Sequence, residues 1–280
     1  MMMKHSSREK KPCHQQYPPL THVKALLFDI FGTTVDWRAS VTDEISLRIF
    51  RKLGSENVLP SALKTRLEGL TQADWDRFIQ EWRNAYIAFT RSFNPETDAW
   101  KSIDQHHYES LVELLKKWDL DGLFTETELT SLSLVWHRLS PWPDSPDGLV
   151  ELSRKYTTAT LSNGNTSLLR DVNDFGGLTF HEIFSAETFK AYKPNPATYL
   201  GAVQALGLQP EEVALVAAHL GDLHAARGCG LRTIYVERSK EEAWGPEEER
   251  YKEAKGWADL WVTEEEDGFL TVTKKLVELE

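Results

Sequence analysis

The sequence predicts an α/β fold, a doubly wound parallel sheet interrupted by a helical insertion, and three observations predict it. The first is a set of short apolar runs at 23–28, 157–161, 213–218 and 233–236, with Leu260–Val262 as a further candidate. Strands of a parallel sheet read this way because helices cover both faces. The second is the helical patterning between them, over 168–172, Pro196–Leu206 and 223–229, with Gly230 placed to end the last helix. Strand and helix in alternation require crossover connections and a parallel sheet. The third is the stretch from Trp37 to Trp142, which carries no strand pattern. There Trp75, Phe78, Ile79, Trp82, Tyr86 and Phe89 recur at helical steps along one face, and Leu111, Leu114, Leu115 and Trp118 make a second face. Pro141, Pro143 and Pro146 punctuate the return to the sheet. The domain reading is therefore a polar tail over 1–20, an α/β core from 21–37 and 143–280, and a helical unit over 38–142.

Composition narrows the function classes. The chain has 280 residues and a formal net charge of −11. That charge argues against a nucleic-acid surface and against unspecific attraction of small anions. Positive charge that receives an anionic substrate must then be local. No apolar run approaches the length of a membrane span. Two cysteines, Cys13 and Cys229, support no disulfide framework and fit a reducing, cytoplasmic setting. The first twenty residues are rich in Lys, His, Gln and Pro and lack an apolar signal core. Disorder fits them; Glu9 and the absence of Arg-rich amphipathicity count against a targeting role. The acidic run at 264–267 reads as a solvated loop.

The strongest local signal is Leu26-Leu27-Phe28-Asp29-Ile30-Phe31-Gly32-Thr33-Thr34-Val35-Asp36-Trp37. A carboxylate at the carboxyl end of a first strand sits where doubly wound sheets bind ligands. Gly32 allows a sharp turn beyond it, and Thr33 offers a hydroxyl. Alone, the Asp-x-x-Gly-Thr string would also serve as a turn with a helix cap. Three further segments join it in order. Thr160-Leu161-Ser162-Asn163-Gly164 ends the second strand in a polar turn. Tyr192-Lys193-Pro194 puts a cation before a helix that carries Tyr199. The run 213–218 leads into His219-Leu220-Gly221-Asp222.

These four segments resemble the four motifs of the haloacid dehalogenase superfamily, over residues 23 to 265, with a Rossmann-like core and a small helical cap after the first motif. Within it, Phe28-Asp29-Ile30-Phe31-Gly32-Thr33, Leu161-Ser162-Asn163-Gly164, Tyr192-Lys193-Pro194 and Trp82-Arg83 are similar to the type II L-2-haloacid dehalogenases. Most members of the superfamily transfer phosphoryl groups with Mg²⁺, using a second Asp two residues after the nucleophile and a Gly-Asp pair in the fourth motif. Here those positions are Phe31 and Ala217-Ala218. Only Asp29 and Asp222 remain to hold a metal, too few for a strong site. The resemblance therefore implies a cofactor-free and metal-free dehalogenase, acting on a small anionic haloacid and water.

Its implied roles follow residue by residue. Asp29 is the nucleophile, Thr33 helps to fix it, Lys193 keeps it ionised, and Asp222 orients Lys193 or activates water. Ser162, Asn163 and backbone amides receive the substrate carboxylate. Ile30 and Phe31 give an apolar wall at the reacting carbon. Arg83 receives halide or carboxylate from the cap, and Tyr199 bonds into the Lys193–Asp222 network. Read without the resemblance, Arg83 is a surface helix residue, Lys193 a surface lysine, and Tyr199 divides evenly between packing and site support. Related enzymes also dimerise through cap helices, so a homodimer is compatible with the aromatic insertion.

The fourth motif departs from that pattern. Ala217 and His219 stand where Ser and Asn are usual, Gly221 where an aromatic is usual, and Phe31 where Tyr is common. His219 fits two roles, a protonated donor in the site or a neutral histidine bonded to its loop. Gly221 is expected to enlarge the pocket. His106 and His107 lack ligand companions at a metal spacing and read as cap packing, as do Trp75, Trp82, Trp118, Trp136 and Trp142. Two competing functions stand beside dehalogenation: a small-metabolite phosphatase, and a non-catalytic binding protein on the same fold.

Overall fold

The computed structural model describes residues 20–55 and 59–279. The polar tail, with Cys13, lies outside these residues except for Leu20. Six strands form one all-parallel sheet: β1 (Ala25–Phe28), β2 (Thr157–Ser162), β3 (Glu182–Ser185), β4 (Val213–Ala217), β5 (Arg232–Val236) and β6 (Leu260–Val262), in the order β3-β2-β1-β4-β5-β6. The winding runs one way from β1 to β3 and the other way from β4 to β6, so the reversal falls between β1 and β4.

Side-chain alternation sends β1 into two cores. Leu26 and Phe28 face one apolar layer with Phe269 and Leu149, while Ala25 and Leu27 face a second with Tyr199, Leu215 and Leu223. All four β1 residues are fully buried, which accounts for the unbroken apolar run. Burying Phe28 alone is worth on the order of 2–3 kcal/mol.

Among the described residues six α-helices lie between β1 and β2, and the first five form the insertion: α1 (Trp37–Gly54), α2 (Ser61–Glu68), α3 (Gln72–Ser92), α4 (Ile103–Lys117) and α5 (Glu126–Ser133). No strand occurs among their described residues; Val35 only bridges to Pro141 where the insertion leaves and rejoins the sheet. Helix α3 starts at a capping box formed by Thr71 and Asp74. It buries Trp75, Phe78, Ile79, Trp82 and Tyr86, the stripe read from the sequence. Leu111, Leu114, Leu115 and Trp118 complete the layer on and just beyond α4. The remaining helices flank the sheet: α6 (Ser145–Ser153), α7 (Thr166–Phe175), α8 (Ala186–Phe189), α9 (Pro196–Leu206), α10 (Leu220–Gly228), α11 (Glu249–Trp257) and α12 (Gly268–Glu278). Among the described residues no helix is long and apolar enough to cross a membrane.

Strand β3 was not anticipated. It is a sheet edge of only four residues, beginning with an exposed Glu182, and has no apolar run to announce it. The 264–267 run is a loop as read, with Glu266 paired to Lys275 at 2.8 Å.

Candidate active site

Asp29 comes directly after β1, at the crevice where the winding reverses. Its backbone N–H donates to Val216 O at 3.0 Å, and its carbonyl accepts from Thr34 Oγ1 at 2.8 Å. The chain then turns through Gly32 at φ 89°. A Cβ on Gly32 would run into the Glu241 carboxylate, so both the turn and that close approach require glycine.

Three side chains contact the Asp29 carboxylate. Lys193 Nζ donates to Oδ1 at 2.9 Å. On Oδ2, Thr33 Oγ1 donates at 2.8 Å and His219 Nδ1 lies at 3.0 Å. Thr33 in turn accepts from Ala218 N at 2.9 Å, tying the β1 turn to the end of β4. Lys193 also donates to Asp222 Oδ2 at 2.6 Å, and Tyr199 donates to Asp222 Oδ1 at 2.5 Å. Asn163 aligns the lysine loop by accepting from Lys193 N at 2.7 Å.

The charge states follow from these contacts. Burial favours a neutral Asp29, but the Lys193 charge and the His219 hydrogen bond outweigh it and hold the carboxyl well below the usual carboxylate range. Burial likewise opposes a charged Lys193, yet Asp222 and Asp29 keep it above its ordinary value. For His219, burial is outweighed by hydrogen bonds to Asp29 and Glu241, and its pKa is pushed up to about 10. At neutral pH the cluster is thus an ionised Asp29 between two cations.

A cavity of 470 Å³ opens onto this cluster, lined by Asp29, Asn163, Lys193, Tyr199, His219 and Asp222 on the sheet side. Phe31 and Arg83 line it from the other direction, with Trp37 and Tyr86. The Arg83 guanidinium lies 4.6 Å from the Tyr86 ring, 5.2 Å from Trp37 and 5.6 Å from Phe31. Its hydrogen bond to Phe31 O is long, 3.5 Å. This is a buried arginine held by aromatic faces, not a surface residue.

Eight of the eleven residues singled out from the sequence meet at the cavity. Thr33 sits just behind it, bonded to Asp29. Ile30 and Ser162 are buried and do not line it; the Ser162 hydroxyl accepts from Gly164 N at 3.4 Å within its own turn. His219 stands at the N-cap position of α10 without a side-chain capping bond, its ring instead between Asp29 and Glu241, contacts that favour the charged form. Space next to Gly221 is covered by Trp244, whose ring lies 3.8 Å from where a Cβ would stand, so part of the missing aromatic is supplied from another loop. His107 stacks on Trp136 at 4.5 Å and His106 on Phe89 at 4.4 Å, both as insertion packing. Trp142 differs from the reading as insertion core: its Nε1 donates to Gly32 O at 3.0 Å and so braces the site turn.

Glu241 was missed altogether. It lies in the loop after β5, accepts from Trp37 Nε1 at 3.1 Å, and its carboxylate is 3.3 Å from His219 Nε2. Nothing in the polar stretch around it signals a site. Tyr86 carried a helical signal only, and its place on the cavity wall depends on how α3 docks.

The donor set does not fit Mg²⁺. All four carboxylate oxygens of Asp29 and Asp222 already face Lys193, Thr33, His219 or Tyr199. Phe31, Ala217 and Ala218 add no oxygen side chain. Among the described residues no group of three or more His, Cys, Asp or Glu is arranged to hold a metal ion.

An aspartate directly after the first strand, this sheet order and the Lys193 bridge are joined by a match to the haloacid dehalogenase-like hydrolase family over residues 23–230. The chain belongs to the haloacid dehalogenase-like hydrolases. Within this family it is 34% identical over 225 residues to an (S)-2-haloacid dehalogenase of Pseudomonas sp. (strain YL), covering 79% of this chain and 85% of that protein. It is 36% identical over 121 residues to (S)-2-haloacid dehalogenase 1 of Pseudomonas sp. (strain CBS-3), covering 42% of this chain and 53% of that one. A solved defluorinating L-2-haloacid dehalogenase superposes with a TM-score of 0.74 at 32% identity, covering 91% of this chain and 95% of the other.

Proposed function

We propose that the protein hydrolyses short 2-haloalkanoic acids to 2-hydroxy acids through an ester on Asp29. The observation that carries this reading is a carboxylate held ionised by Lys193 in an aromatic-walled cavity, with an arginine opposite that meets no carboxylate among the described residues. The similarity to (S)-2-haloacid dehalogenases supports the same substrate class.

In this scheme Asp29 attacks C2 from the side opposite the halogen and expels halide, leaving an ester. Back-side displacement inverts C2, so an L-haloacid yields a D-hydroxy acid. Arg83 receives the departing halide or the substrate carboxylate; its planar donors suit either anion. The aromatic wall of Phe31 keeps water from the reacting carbon during the first step. Water then attacks Cγ of Asp29, and the alkoxide leaves as the hydroxy acid. Asp222, fixed by Lys193 and Tyr199, is placed to take a proton from that water.

The test is halide release from a panel of short L- and D-2-haloacids with EDTA present throughout. Release without added metal is expected, and Asp29→Asn should lower it at least about 10³-fold. In heavy-oxygen water a single turnover should label the protein before product. Phosphate release that needs Mg²⁺, with no halide from 2-chloropropionate, would replace this reading by a phosphatase.

A further inference from the structure

Asp29 is not symmetrically dressed. Oδ1 meets one donor, Lys193, whereas Oδ2 meets two groups, the Thr33 hydroxyl and His219 Nδ1. The imidazole continues to a second carboxylate, Glu241, at 3.3 Å from Nε2. Glu241 has a side chain only 5% exposed, is held by the Trp37 indole, and packs where Gly32 lacks a side chain. A buried carboxylate so placed has a task beyond solubility.

We infer that His219 and Thr33 form an oxyanion hole on Asp29 Oδ2 for the ester-hydrolysis step, and that Glu241 is the positioning residue keeping His219 charged through it. This rests on the ester reading above. Oδ1, with the freer lone pairs, forms the bond to C2. Oδ2 then becomes the ester carbonyl oxygen, already facing its two donors. When water adds to Cγ, the Cγ–Oδ2 π pair moves onto Oδ2, and the water proton passes to Asp222. Collapse re-forms the double bond and breaks the bond from Cγ to Oδ1, and the departing alkoxide recovers the proton from Asp222. Preorganised donors at the atom where charge develops make a large contribution to such steps.

Glu241 is needed because the first step removes a charge. Esterified Asp29 is neutral, so His219 loses one of its two carboxylate partners at the moment it must act as a cation. Around it remain Arg83 from α3, Lys193 across Asp29, Lys240 beside Glu241, and Arg38 from α1, whose guanidinium is 3.9 Å from Glu241. These cations favour deprotonation. Opposing them are Glu241 and, bonded to the next backbone N–H at 2.7 Å, Glu242. With Glu241 in place, the esterified site still holds two matched pairs, His219–Glu241 and Lys193–Asp222. The elevated pKa of His219 in the resting site agrees with this pairing.

The experiment is rapid-quench kinetics on 2-chloropropionate with Glu241→Gln, following halide release and ester decay separately. The variant should keep the first-turnover halide burst, while ester decay slows about 10²-fold, the effect of one such donor. Covalent adduct should accumulate by mass spectrometry. The alkaline fall in ester decay should move to lower pH by about 1–3 units, as loss of a nearby opposite charge requires. A purely structural Glu241 would not shift that limb. Wild-type ester decay should itself show a fall as pH rises, centred below the resting-site value of about 10 because esterified Asp29 no longer holds the imidazolium; absence of that fall overturns the inference even should the variant not fold. A wild-type burst with an unaltered variant overturns the inference alone. Absence of halide release by the wild type overturns the dehalogenase reading, and the inference with it.

Discussion

Two cations of the cavity come from different regions and live in different company. Lys193, at the sheet edge, is paired twice: it meets Asp29 at 2.9 Å and Asp222 at 2.6 Å. Arg83, on the helical insertion, meets three aromatic rings and one distant carbonyl. In the proposed reaction the lysine keeps Asp29 charged, two of its three N–H donors meeting these carboxylates. On the same reading the arginine supplies the local positive charge by which a chain of charge −11 receives an anion. One region would then prepare the attacking group and the other recognise what is attacked.

The largest expected effect is at the sheet edge. Lys193→Met removes the bridge and leaves Asp29 and Asp222 as buried like charges. Breaking a buried pair in this way costs about 3–5 kcal/mol, visible in denaturant unfolding. The Asp29 pKa should rise, so any residual halide release should require higher pH. If Lys193→Met folds and turns over as the wild type does, the sheet edge does not set the charge of Asp29.

A smaller effect is expected across the cavity. Arg83→Lys keeps the charge but loses the planar fork that stacks on Tyr86 and Trp37. Loss of one or two charge-assisted contacts should lower kcat/KM for 2-chloropropionate by about 10- to 100-fold, with little change in stability. An equal loss of stability in both variants would erase the contrast between the two regions.

The smallest effect probes the seam that joins them. His137 bonds to Asp104 on α4 at 2.9 Å and to Asp171 on α7 at 2.7 Å. A neutral imidazole has one N–H and so serves only one of these carboxylates as a donor. Burial lowers the His137 pKa, but the bonds to Asp104 and Asp171 outweigh it and raise it above the ordinary value. Since the folded value is the higher one, this stabilisation is fully present below the unfolded pKa. It is lost as pH rises through the folded pKa. His137→Asn should remove less than about 1 kcal/mol at acidic pH and flatten that part of the alkaline decline in Tm, because Asp171 is largely exposed.

Much of this was legible from local pattern. Five of the six strands announced themselves as apolar runs, the central ones because burial on both faces leaves no room for alternation. The stripe of α3 was legible because its packing repeats with the helix turn. Asp29, Asn163, Lys193 and Asp222 were legible because each follows a strand or opens a helix at the sheet's carboxyl edge. Strand β3 was hidden by its length and its edge position. Ser162 and Ile30 looked like cavity residues from their motif neighbours, yet both are buried away from the cavity, one at the end of β2 and the other in the turn after β1. Trp142 looked like insertion core and instead braces the Gly32 turn.

What the amino-acid sequence determined by itself is the α/β class, the insertion point and the positions of Asp29 and Lys193 beside the ends of regular elements, all matters of periodicity and spacing within a few residues. Tertiary structure alone decided that Glu241 stands behind His219, that Trp244 covers Gly221, and that Arg83 sits among the rings of Phe31 and Trp37. These are contacts between segments about 20 to 50 residues apart in the chain. No local pattern encodes them, because they exist only once sheet and insertion have packed and excluded water between them.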